Sequence, residues 1–105
     1  MTMRVSIDRY IVDSLMPDLV GHDKQPSAFI VFLYLWSRAT MRAGPQGARG
    51  RRFVASLQQI AFDTGLSKSA VQHAIRTLKR RRLIQAHQAA ATAAPDYLVH
   101  APWRR

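Results

Sequence analysis

Apolar side chains recur at Val71, Ala74, Ile75 and Leu78, the i, i+3, i+4, i+7 spacing that gives a helix one buried stripe. Ser67 stands just ahead of that stripe as its N-cap. Upstream, Ser56 opens a second helix, and Gln59 three residues on completes a capping box that satisfies orphan backbone donors. Leu57, Ile60 and Ala61 give this helix an apolar side, and Gly65 suits the left-handed residue that ends it. The pattern predicts two helices joined by a very short turn.

The flanking segments have weaker signals. Residues 28–36 are nine successive apolar positions, too continuous to show a period. Residues 26–42 exceed the usual strand length of roughly 4–8, so a long apolar helix is expected there, started by Pro26. Such a helix is apolar almost all round and needs partners on several sides. The N-terminal segment is one partner, and a second subunit is another, which predicts a homodimer. Residues 1–25 form an N-terminal extension in which Tyr10, Ile11, Leu15, Met16 and Leu19 share one face of a short helix interrupted at Pro17. Residues 43–52, rich in Gly and Arg, read as a flexible basic loop, with a short strand able to form over residues 51–55. Residues 83–87 and 97–100 read as strands of a hairpin whose Ala-rich tip spans residues 88–95.

Charge sharpens this picture. The 105 residues carry sixteen Lys plus Arg against six acids, all Asp, for a net +10. Residues 38–82 hold eleven of the basic residues and Asp63 alone, so the excess sits in the middle of the chain. A charge concentrated in this way marks a docking face for a polyanion, whereas a solubility charge would be spread out.

Cysteine is absent, which removes disulfides, thiolate nucleophiles and Cys-based zinc sites. The four His (residues 22, 73, 87 and 100) are not spaced as ligand pairs, and the scattered Asp form no catalytic constellation. No metal, cofactor or enzymatic activity is expected. The N-terminus lacks a signal-peptide run, and no stretch approaches the ~20 apolar residues that span a bilayer, so a cytoplasmic, nucleoid-associated protein without membrane contact is expected.

The stretch Ser-Leu-Gln-Gln-Ile-Ala-Phe-Asp-Thr-Gly-Leu-Ser-Lys-Ser-Ala-Val-Gln-His-Ala-Ile-Arg-Thr-Leu from Ser56, followed by Lys-Arg-Arg-Arg-Leu-Ile, closely resembles the winged helix-turn-helix families of bacterial and phage regulators and plasmid replication initiators. The likeness is good over residues 53–84 and loose over 26–42 and 83–103. It implies a mainly α, α+β single domain over residues 1–105. This would have a three-helix core, the helix-turn-helix at residues 56–81, a small β-hairpin wing at 83–103 and the extra N-terminal segment. The second helix of the motif would enter the major groove of double-stranded DNA.

The family's contact positions fall on Ser67, Lys68, Ser69, Gln72, His73 and Arg76. Gln72 suits adenine and Arg76 suits guanine. Lys79, Arg80, Arg81 and Arg82 are expected at phosphates, because adjacent cations repel unless anions neutralise them, and Arg51 and Arg52 are candidates for a phosphate clamp. Relatives usually carry Gly where this chain has Arg82, which demands positive φ from a non-Gly residue. The expected role is sequence-specific transcription regulation. Replication initiation or partition is the alternative within DNA binding, and a protein–protein assembly module is the alternative outside it. Nothing in the sequence indicates an effector.

Overall fold

The computed structural model describes residues 4–44 and 47–104. Their order is helix, helix, hairpin, two helices, hairpin. Helix α1 runs over residues 9–22 and is wound with wide, π-type turns at Ile11–Leu15 and Asp18–His22. Helix α2 is Pro26–Arg38, strand β1 Thr40–Ala43 and strand β2 Arg49–Val54. Helices α3 (Leu57–Thr64) and α4 (Lys68–Arg80) follow, then strands β3 (Ile84–His87) and β4 (Asp96–Val99).

The strands form one antiparallel sheet in the order β1-β2-β4-β3. Phe53 pairs with Tyr97 and Arg52 with Leu98 across β2 and β4, and Ile84 pairs with Val99 across β3 and β4. Alternation along β4 sends Tyr97 and Val99 into the core, leaving Asp96 and Leu98 on the outer face. The architecture is therefore α+β, with more sheet than a lone hairpin.

Helix α2 is the central element, packed against α1, α3, α4, β2 and β4. Its Ala28, Val31, Phe32 and Leu35 are fully buried and Trp36 nearly so. Ile11, Leu15 and Leu19 of α1 cover one side and Val71, Ile75 and Leu78 of α4 another. Burying each side chain of this kind contributes about 1.5–3 kcal/mol. The apolar sides of α2 for which a second subunit was expected are therefore largely covered within the chain. Among its large apolar groups only Ile30 is well exposed, because the chain's own N-terminal segment wraps the helix.

Three segment boundaries differ from the sequence reading. The long helix stops at Arg38, and residues 40–43 form a strand, since Thr40–Ala43 pairs residue for residue with Arg49–Arg52. The flexible basic loop over residues 43–52 is correspondingly short, and its Arg49, Arg51 and Arg52 lie in β2. Helix α1 continues through Pro17, which sits between the two wide-turn segments at φ −64° and ψ −29°, angles that a proline ring accepts.

The chain ends clasp each other over α2. The Trp103 indole stacks on Tyr10 at 4.9 Å between ring centres and lies 5.8 Å from Trp36. Its Nε1 donates to Asp8 at 2.7 Å, and Arg104 donates twice to the same carboxylate at 2.6 Å. These bonds hold the Asp8 carboxyl down at about 2, with the Arg104 guanidinium the largest cause. Trp36 and Trp103 are thus packing residues.

Candidate nucleic-acid interface

Helices α3 and α4 are set by local chemistry. The Ser56 hydroxyl accepts from the Gln59 backbone N–H at 3.1 Å, and Ser67 accepts from Ala70 N–H at 3.1 Å. Gly65 between them adopts φ +80°, the left-handed cap. Ile60 is fully buried against α4, and Leu66 packs on the core, which fixes the angle between the helices.

Period then divides α4 cleanly. Val71, Ala74, Ile75, Thr77 and Leu78 are buried, whereas Lys68, Ser69, Gln72, His73, Arg76, Lys79 and Arg80 are exposed on one side. That side has borders. The β3–β4 hairpin runs back along it: Lys79 lines a groove of about 580 Å³ with Gln85 and Arg82, and Lys68 lines one of about 380 Å³ beside residues 91–95. At the opposite border, the Gln25 side-chain amide donates to Nε2 of His73 at 3.2 Å, holding that ring in place.

The four-residue basic run splits in two. Arg80 is exposed at the last turn of α4, and Arg82 is exposed just beyond it. Arg81 instead turns inward, half-buried, and donates to Asp23 at 3.2 Å and to Asp18. The candidates in β2 are also engaged within the chain. Arg51 lies 4.3 Å over the Trp36 ring, and Arg52 is 6% exposed beside Asp96. Where exposed cations were expected, Arg52 is thus buried, and Arg51 and Arg81 are partly buried with partners inside the chain. Each partner is distant in sequence, so a basic run alone did not betray the pairing.

Arg82 adopts φ +58°. Its N–H bonds Lys79 O at 3.0 Å, and Leu83 N–H bonds Leu78 O at 2.9 Å, the two bonds of a Schellman cap, with Leu78 and Leu83 both buried. The position where a glycine was missed is therefore left-handed in fact.

All six Asp have partners. Asp8 binds Arg104, Asp13 binds Arg9, Asp18 and Asp23 bind Arg81, and Asp96 binds Arg42. Asp63, the only acid in the basic segment, accepts from the Tyr34 hydroxyl at 2.5 Å. Burial, then this bond, pushes the Tyr34 hydroxyl up to about 12. Among the described residues, no ion pair reaches Lys68, Arg76, Lys79, Arg80 or Arg82.

Sequence reasoning missed Gln25, Asp18 and Asp23 as neighbours of α4. The one available signal was charge, since residues 1–37 carry a net −1 against the basic segment. His22 comes within 4.8 Å of Asp18 and Asp23, a triplet with metal-ligand atoms. Both carboxylates are already held by Arg81, whose charge opposes a cation there. No described helix is long and apolar enough to cross a membrane. Comparison with known proteins finds no matching family, no matching curated protein and no matching solved structure.

Proposed function

We propose that the chain binds double-stranded DNA sequence-specifically as a winged helix-turn-helix protein, and that it acts as a transcriptional regulator. The exposed side of α4 enters the major groove, N-terminus first, and the β3–β4 hairpin is the wing. Ser69, Gln72, His73 and Arg76 face base edges, while Lys68, Lys79, Arg80 and Arg82 meet phosphates. The observation that carries this reading is the distribution of ion pairs. Every Asp has a partner within the chain, and among the described residues Lys68, Arg76, Lys79, Arg80 and Arg82, gathered on and beside α4, have no ion pair. An array of unneutralised cations interleaved with Gln, Ser and His groups matches the phosphate and base-edge chemistry of a DNA groove.

One observation favours an assembly role instead. Phe62 on α3 is 86% exposed, an anchor of the kind that docks into a partner's pocket. A salt titration of binding to random and selected duplexes separates the two. DNA reading gives an affinity that falls steeply with salt, with a preferred sequence above that background. Salt-independent or absent DNA binding would return the chain to the assembly reading.

A further inference from the structure

We propose that the outer face of the sheet carries a binding site for a small organic anion with an apolar body, built around Arg52. The site is centred on Arg52, shares only its edge, Lys79 and Gln85, with the α4 face, and stands whether or not α4 binds DNA.

The case begins with a shortage of acceptors. Arg52 and Arg42 converge on one carboxylate, that of Asp96. Arg42 takes both oxygens, Nη2 to Oδ1 at 2.7 Å and Nη1 to Oδ2 at 3.2 Å. Arg52 is left at 3.7 Å, beyond hydrogen-bond reach, and its buried Nε has no partner at all. Of the two, Arg42 is the more exposed, at 38% of its side chain against 6% for Arg52. The arginine that most needs an anion is therefore the one held to it more loosely. A buried guanidinium nitrogen without an acceptor is a costly group for a fold to hold. Two cations against one carboxylate leave the cluster one negative charge short.

The space beside it fits the missing partner. Arg52 and Asp96 line a groove of about 640 Å³ together with Leu98, Ala48, Gln85, His87 and, from α4, Lys79. That volume lies within the usual range for small-molecule sites. Leu98 and Ala48 offer an apolar wall, and the exposed Gln85 and His87 stand at the rim as further polar contacts. A monocarboxylate with a short hydrocarbon or ring matches this division, its carboxylate at Arg52 and its body on Leu98. The backbone is shaped to the guanidinium as well. A Cβ added at Gly44 would collide with Cζ and Nε of Arg52, so the guanidinium lies against bare backbone there.

The test titrates isotope-labelled protein with sodium benzoate at fixed ionic strength, following the Arg52 Nε–H and Leu98 methyl signals by NMR. Inorganic phosphate is run in parallel. The expected result is a saturable shift of both signals with benzoate, and affinity for phosphate lower by at least about tenfold because it lacks the apolar body. Gly44→Ala pushes the guanidinium off its seat and should abolish the response, as should Arg52→Met where that variant folds. A silent Arg52 Nε–H, an equal response to phosphate, or full benzoate binding by Gly44→Ala would each overturn the proposal.

Discussion

Arg81, just past the end of α4, donates to Asp18 and Asp23, sixty-three and fifty-eight positions earlier in the chain. This pairing ties the α1–α2 junction to the helix that presents the cations. Arg80 and Arg82, its neighbours in sequence, have no such tie. Three consecutive arginines therefore stand in two settings, one paired within the chain and two exposed, and mutation separates them. Replacing Arg80 by Ala should weaken binding to every duplex and flatten the salt slope by about one unit. Replacing Arg81 by Ala should leave the slope unchanged and lower stability instead. A double-mutant cycle of Arg81→Ala with Asp18→Asn, read by urea denaturation, should give a coupling of about 0.5–1 kcal/mol, modest because both groups are partly solvated. A slope change with Arg81→Ala and no coupling would show that the inward pairing does not persist in solution.

Specificity should reside on the outward side of α4. Gln72→Ala or Arg76→Ala should cost about 1–3 kcal/mol on the selected site and relax preference at one base pair. Competition binding against single-base variants of that site reads this directly. An equal loss on all sequences would place the residue on the backbone. His73→Ala should loosen preference by a smaller margin, because Gln25 already holds the ring at the border of the face.

Helices α3 and α4 were the most legible part of the fold because their information is local. Ser56, Gln59, Gly65 and Ser67 act within their own turns, and the Val71, Ala74, Ile75 and Leu78 stripe needs only a periodicity of 3.6. Strand β1 was not legible. Thr40, Met41, Arg42 and Ala43 are too short a run to carry a periodic signal, their apolar Met41 and Ala43 are exposed, and what makes them a strand is the ladder to Arg49–Arg52. The cations of α4 lie exposed on one side, as its period predicts, but the intrachain partners of Arg51, Arg52 and Arg81 were not legible. Their partners Trp36, Asp96, Asp18 and Asp23 are brought in by tertiary packing, which no run of charges reveals.

Acid should release the clasp between the chain ends. The Asp8 carboxyl is held at about 2, below its ordinary 3.8, by Arg104 and then Trp103. A depressed carboxylate contributes stability that is fully present above the unfolded value and lost as pH falls through the folded one. Thermal midpoints should therefore fall between about pH 4 and pH 2. Asp8→Asn should be less stable at neutral pH and lose less over that interval. Identical acid limbs for the two proteins would place the acid sensitivity elsewhere.

His100 should produce a second, milder pH effect of opposite origin. Burial lowers its pKa from the ordinary 6.5, so the folded state favours the neutral ring. The unfolded chain then binds a proton more readily as pH drops through about 6.5, and stability falls with it. His100→Gln should flatten the curve in that window, and an unchanged curve would show that the imidazole titrates alike in both states.

The cap of α4 gives the sharpest separation of stability from binding. At φ +58° Arg82 occupies a left-handed position, where an L side chain costs on the order of 1 kcal/mol relative to glycine. Its side chain is exposed and without an ion pair among the described residues, so removing it breaks no internal contact of that kind. Arg82→Gly should therefore stabilise the protein by roughly 0.5–1 kcal/mol, somewhat offset by the greater freedom of glycine in the unfolded chain. The same change removes one cation beside the proposed DNA face, so affinity should fall for all sequences, with a salt slope shallower by about one unit. Denaturation and a salt titration on the same variant read the two effects independently. A gain in stability with undiminished binding would remove Arg82 from the interface and leave the cap intact as a structural feature. A loss of stability would mean that the arginine side chain holds the turn through contacts worth more than the backbone strain it carries.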